Sequence, residues 1–232
     1  MNITNWTRER VTSPAAQEEM VLSFDESRAT RVLIVPALLE EANKLRRFTT
    51  SVMRALDEAD IDSALPDLPG CNESAAPLHM QTLAGWRSDL SAFANQFEAT
   101  HVLSVRAGAL IAPQSLPGWQ YAPLDGGKLL SGLLRARVIA SRELGTEEDR
   151  DRLAKRGRDE GLTLAGWNIG AEMYRELEEA RAVPSEHARI DASDLGGAGL
   201  WLRAEPDEDA EQSDALARLV AQAVASGKDA PQ

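Results

Sequence analysis

The residues best placed to do chemistry lie in the run Thr100-His101-Val102-Leu103-Ser104-Val105-Arg106-Ala107-Gly108-Ala109-Leu110-Ile111. The run predicts a short buried strand entering a helix through a tight turn, with Ser104, Ala107 and Gly108 as the small residues that permit close packing. In the G-x-S-x-G form of such an elbow, the central residue lifts a nucleophile over the carboxyl end of a parallel sheet. Here the central residue is Arg106. A guanidinium stays protonated at ordinary pH and cannot be acylated, so the turn offers positive charge where acyl transfer needs a nucleophile.

Two arrangements fit that charge. In the first, the amide of Ala107 faces the oxyanion position, the following helix presents its positive end, and an amide near Ala37 or Leu38 completes the hole. With Arg106 added, such a pocket takes a carboxylate or phosphate. In the second, Arg106 forms an internal ion pair with Glu40 or Glu41. An unpaired buried charge costs several kcal/mol, so a nearby glutamate is expected in either case, and the internal pair is the favoured expectation.

Cys71, Ser104 and Asp125 are the other candidate catalytic groups. A Cys71 thiolate could attack as a nucleophile, but no histidine is placed to activate it, and a lone cysteine serves more often as a small packing residue. Ser104 opens the elbow, where its smallness suits helix packing. Asp125 could be the acid left from a triad, yet Gly126 and Lys128 follow it at a helix start, which favours a cap. Asp67 sits at a strand end and is expected to stabilise its own turn. His79, His101 and His187 have no metal-ligand spacing with one another or with Cys71, so no metal site is expected, and His187 reads as solvated. Neither a phosphate-binding G-x-x-x-x-G-K-[ST] loop nor a dinucleotide fingerprint occurs, so no cofactor is expected.

Positioning the elbow requires a layered scaffold, and the pattern supplies one. Residues 1–18 are polar and aperiodic apart from Trp6 and Val11, and are expected over the surface or mobile. Met20-Val21-Leu22-Ser23-Phe24 and the β-branched run Arg31-Val32-Leu33-Ile34-Val35 read as strands, the second covered on both faces and closed by Pro36. A helix carries Phe48, Val52, Met53, Leu56 and Ala59 on one face. Ile61 to Leu65 is a strand ending in a turn-rich loop, and Thr82 caps a helix with Leu83, Trp86, Leu90, Phe93 and Phe97 at helical steps. This alternation predicts right-handed crossovers, a parallel sheet and helices on both faces. Beyond the elbow, Trp119 to Pro123 reads as a strand and residues 128–142 as a helix. Residues 143–161 read as a charged helix or lid, and 162–183 as a loop and helix. Gly199 to Ala204 reads as the last strand, before a final helix and a polar tail.

At 232 residues one substantial core is possible, and the working assumption is a single domain over 1–232 with a helical cap at about 128–195. A formal net charge of -12 argues against nucleic acid or an anionic membrane surface as partner. One cysteine excludes an intramolecular disulfide. Neither a secretory segment nor a membrane-spanning run is visible, and a cytoplasmic location is the expectation.

Three blocks carry a family resemblance: Val35-Pro36-Ala37-Leu38-Leu39-Glu40-Glu41-Ala42-Asn43-Lys44-Leu45-Arg46-Arg47, Leu65-Pro66-Asp67-Leu68-Pro69-Gly70-Cys71-Asn72-Glu73-Ser74, and Val105-Arg106-Ala107-Gly108-Ala109. On these the chain resembles the α/β-hydrolases, and more narrowly the hydrolase-like proteins associated with the exosortase A system of bacteria. The resemblance implies a mostly parallel sheet with a cap inserted after the elbow, and a role near exopolysaccharide production and sorting of PEP-CTERM proteins. Two departures stand out: the nucleophile is absent, and the chain ends after what reads as the penultimate strand with no histidine beyond His187.

The function expected is therefore a catalytically inactive or atypical member that binds a small anion or a protein partner around Arg106, Ala107, Leu38, Glu40 and Glu41. An alternative is a working ester, thioester or amide hydrolase using Cys71 or Ser104. Another is a structural partner, in a complex or a homo-oligomer, pairing through a sheet edge left open by the missing strand.

Overall fold

The computed structural model describes residues 1–10, 13–183, 185–203 and 207–227. Its central sheet has seven strands: β1 (Asn2–Arg10), β2 (Ser13–Phe24), β3 (Arg31–Val35), β4 (Asp62–Pro66), β5 (His101–Val105), β6 (Gly118–Tyr121) and β9 (Ala188–Ile190). A separate hairpin contains β7 (Leu162–Leu164) and β8 (Trp167–Ile169). The order across the sheet is β1-β2-β4-β3-β5-β6-β9. β2 is antiparallel to β1 and β4, whereas β4, β3, β5, β6 and β9 run parallel to one another. Parallel pairing brings the carboxyl ends of β3, β5 and β6 together, so the elbow after β5 sits between the loops that follow its two neighbours.

Alternation along the strands divides the core. Val32, Ile34, Leu103 and Val105 face α1 (Glu40–Glu58) and α6 (Ala210–Ser226), while Leu33, Val35 and Val102 face α2 (Leu83–Gln96). The second layer also contains the segment between β6 and β9: α3 (Gly126–Glu143), α4 (Arg150–Glu160), the β7–β8 hairpin and α5 (Ala171–Glu179). Leu130, Leu134, Leu164, Met173 and Tyr174 from that segment join one apolar cluster with Trp86 and Leu90 of α2.

Three expectations need correction. The N-terminal residues form β1, because Trp6 is 3% exposed and packs 5.2 Å from the Phe93 ring, which fastens an otherwise polar edge strand. Val11 lies outside the described residues. The loop expected after residue 161 contains the β7–β8 hairpin, turned by Ala165 and Gly166 at positive φ. The segment expected as the last strand is a 3-10 turn, Leu200–Leu202, and Ala204 lies outside the described residues. The last strand is instead β9, whose three residues leave no readable period and whose partner β6 supplies the pairing. Residues 228–232 of the expected tail also lie outside the described residues.

Candidate functional site

The elbow is present in its backbone. β5 ends at Val105, Arg106 takes φ 55°, and the chain enters a 3-10 turn over Arg106–Leu110. Two more residues beside the elbow share the left-handed region, Leu39 at φ 55° after β3 and Ala122 at φ 45° after β6. Such positions cost about 1–3 kcal/mol each in residues with a side chain and persist only where their surroundings hold them. Gly108 shows how tight the surroundings are, since a Cβ there would collide with the carbonyl oxygen of Pro36.

The Arg106 side chain is only 9% exposed, and its donors are directed inward. Nε donates to Oε2 of Glu41 at 3.0 Å and Nη2 to Oε1 at 3.1 Å, a bidentate pair. Nη1 donates to the carbonyl oxygen of Ala122 at 2.7 Å. The guanidinium lies 3.8 Å from the centre of a Trp201 ring, which in turn meets Tyr121 edge-on. Burial pushes the Tyr121 hydroxyl up to about 12, with the Arg106 charge pulling the other way, so it stays protonated. Glu40, the other glutamate of the block, pairs with Lys44 one helical turn on at 3.0 Å.

An open cleft of about 380 Å³ lies over this lock. Glu40, Glu41, Lys44, Arg106 and Lys128 supply its charge; Leu124, Leu129 and Trp201 are among its apolar walls. Leu38 and Ala107 do not reach it, being 1% and 0% exposed inside the core. The helix expected to present a positive end is a five-residue 3-10 turn, too short to develop an α-helical dipole. The cleft gathers Arg106, Glu40 and Glu41 but not the amide hole the sequence suggested.

The remaining candidates are dispersed. Ser104 is fully buried, and its hydroxyl donates to the Trp119 carbonyl at 3.3 Å. Cys71 is buried, and desolvation, aided by the charges of Asp67 and Glu19, pushes its thiol up to about 12. Asp67 does more than hold its own turn: Oδ1 accepts from Asn72 at 2.7 Å and from Arg46 of α1 at 3.2 Å. Asp125 occupies the N-cap position of α3 without making the cap bond; Oδ1 accepts from the Ala182 amide at 3.1 Å and so ties α3 to the end of α5.

No histidine approaches the elbow. His101 begins β5, about 13 Å of strand away from its other end. His79 is exposed on a 3-10 turn. His187, expected in solvent, is 6% exposed, with Nε2 3.0 Å from the Leu116 carbonyl ahead of β6. Burial lowers its pKa, partly offset by the carbonyls of Leu116 and Pro113. Among the described residues no cluster of three or more His, Cys, Asp or Glu side chains is arranged to hold a metal ion. Sequence reasoning missed Trp201, which stands in the run misread as a strand, and the Ala122 carbonyl, which no side-chain pattern announces.

The chain has the α/β-hydrolase fold. It is similar over 97% of its length to 98% of α/β hydrolase domain-containing protein 10 from mouse, with a TM-score of 0.54 and 13% identity. A thermophilic esterase from Thermogutta terrifontis, solved with malate bound, matches 98% of this chain over 100% of its own at a TM-score of 0.51 and 13% identity. Est1E from Butyrivibrio proteoclasticus, solved with ferulic acid, matches 90% of this chain over 94% of its own at 0.50 and 12% identity. No protein-family model matches the chain, and no curated protein does. Among the described residues, no helix is long and apolar enough to cross a membrane.

Proposed function

We propose that this chain is a non-catalytic protein of α/β-hydrolase fold that works by binding a protein partner at the cleft over Arg106, Glu40 and Glu41. The observation that carries the reading is the fourfold use of Arg106: two bonds to Glu41, one to Ala122 and a ring face from Trp201 at the turn where a nucleophile would stand. The substitute nucleophiles do not rescue catalysis, because Ser104 is sealed in the core and Cys71 remains a thiol at any ordinary pH. Pairing of Arg106 with Glu41 and of Lys44 with Glu40 leaves Lys128, loosely held by Asp125 at 3.7 Å, as the one weakly paired cation among the described residues of the cleft lining, which favours a polypeptide over a small anion. Residues 128–195 share an apolar cluster with α2, and in this reading they form a wall of the same domain. The exosortase-associated setting rests on the sequence blocks around Val35–Arg47, Leu65–Ser74 and the elbow.

The test is turnover of p-nitrophenyl acetate, p-nitrophenyl butyrate and an acyl thioester by the parent, Cys71→Ala and Ser104→Ala. The expected rate equals that of buffer in all three. A rate above buffer that disappears in either variant would overturn the reading in favour of a working hydrolase. Phosphate or carboxylate raising the melting temperature of the parent would return the small-anion alternative.

A further inference from the structure

The elbow cleft does not end at the elbow. A second cleft, of about 550 Å³, shares Glu40 and Ala136 with it and continues along α3 to Leu144, with Thr163 and Gly166 of the β7–β8 hairpin on its far side. The two form one groove beside a helix of 18 residues, about 27 Å long at 1.5 Å per residue. Large apolar side chains stand open along it: Leu202 at one end is 75% exposed, Leu144 at the other 82%, and Ile139 on the rim 51%. Exposed apolar side chains grouped along one groove mark an interaction surface more often than scattered ones do.

Charge narrows the partner. The chain carries a net charge of -12, yet α3 (Gly126–Glu143) contains Lys128, Arg135, Arg137 and Arg142 against a single acid, Glu143, in its last position. At 100° per residue, Lys128, Arg135, Ile139 and Arg142 fall on one strip of α3, next to the groove wall made by Gly132, Ala136 and Ala140. Arg137 is matched by Glu148 at 2.6 Å. Lys128 has only a 3.7 Å approach to Asp125 and is 74% exposed. Arg135 and Arg142 are exposed and make no ion pair among the described residues. An acidic molecule thus presents a predominantly basic strip of α3 along the edge of its apolar groove, with Glu143 at the end of the strip.

We infer that this groove docks an acidic segment of another protein, carrying apolar side chains that fit between Leu202, Ile139 and Leu144 with carboxylates facing Arg135 and Arg142. The inference rests on the binding reading above and adds the partner's chemistry to it. Apolar anchors supply most of the affinity in such an arrangement, and the charges supply steering, register and salt dependence.

The experiment uses the full chain and a fluorescein-labelled peptide of 18 residues with Leu at helical spacing and Glu elsewhere. Companion peptides replace every Glu by Lys or every Leu by Ala. Anisotropy should show binding of the Glu–Leu peptide alone, weakening as salt rises from about 50 to about 500 mM. The double variant Arg135→Glu/Arg142→Glu should lose about tenfold or more in affinity for it and gain binding of the Lys–Leu peptide. Leu144→Ser should weaken binding at unchanged salt slope. Among the described residues the side chains of Arg135, Arg142 and Leu144 make no hydrogen bond or ion pair, and an unchanged melting temperature checks that the variants fold. Equal binding of all peptides, or an unaltered double variant, overturns the inference. So does light scattering that shows the parent to be an oligomer dissolved by the double variant, since a second copy is then the occupant. Ester turnover on the same preparation separates the two claims: turnover with selective peptide binding sinks the non-catalytic reading alone, and its absence without binding sinks this one alone.

Discussion

Both ends of the parallel strands hold a buried ion cluster, and the two are built differently. At the amino end the centre is an anion, Asp62 of β4, which is 0% exposed. It accepts from the amides of Glu26 and Arg28 at 3.0 and 2.8 Å, and from Nη1 of Arg28 and of Arg31 at 3.1 and 3.2 Å. Arg28 continues to Asp57 at 2.7 Å and Arg31 to Asp25 at 2.9 Å, so the charge is shared outward toward solvent. At the carboxyl end the centre is a cation, Arg106, closed in by one carboxylate, one carbonyl and one ring. The amino-end cluster ties a surface turn to two strands and a helix. The elbow cluster sits on strained backbone at Leu39, Arg106 and Ala122, as the amino-end cluster does at Ser27 and Asp60, but it opens on a cleft. The difference teaches that saturated buried charge can serve structure alone at one end and, at the other, close a site that the fold still shapes.

The largest expected effect tests the amino end. Asp62→Ala leaves two amides without their acceptor and takes the buried carboxylate from two guanidinium groups that keep Asp57 and Asp25, and should destabilise the protein by about 3–5 kcal/mol in a urea titration. A loss under about 1 kcal/mol would mean that water satisfies these donors and that the cluster is not saturated by protein. At the elbow, Glu41→Ala should cost about 2–3 kcal/mol, less because the pair is partly solvated, while Arg106→Met/Glu41→Leu should recover most of that loss. A double-mutant cycle reads the coupling directly; its absence would show that Trp201 and the Ala122 carbonyl hold Arg106 unaided.

A pH profile gives a smaller effect. The pKa of His187 is lowered in the folded state from 6.5, so between its folded value and 6.5 the unfolded chain binds more protons. Its contribution to stability is full above that window and falls as pH falls through it. Melting temperatures of the parent should therefore drop more from pH about 7.5 to about 5.5 than those of His187→Gln, and parallel profiles would refute the assignment. Smallest of all is Ser104→Ala, which removes a 3.3 Å bond and should cost under about 1 kcal/mol with no change in ester turnover.

Local pattern carried much of this fold. Val32 to Val35 and Val102 to Val105 are apolar enough to announce buried parallel strands, and the helical spacing of Leu83, Trp86, Leu90 and Phe93 faithfully marks the buried face of α2. The Thr82 hydroxyl accepts from the Gly85 amide at 2.9 Å, as an N-cap read from sequence should. Strands β1 and β9 were not legible, because one buried Trp or three residues do not make a period and only a neighbouring strand decides the pairing.

By itself the sequence determined that the elbow would carry a guanidinium, that a glutamate had to stand near it, and that Leu, Trp and Phe at helical steps would cover a parallel sheet. These follow from nearest-neighbour sterics, side-chain chemistry and the cost of unpaired charge. Tertiary structure alone decided that the partner is Glu41 and not Glu40, that Trp201 covers the pair, and that α3 opens a basic-rimmed groove. Glu41 lies 65 residues from Arg106 in the chain, and which of two adjacent glutamates faces it depends on how α1 is rotated against the sheet by packing along its whole buried face.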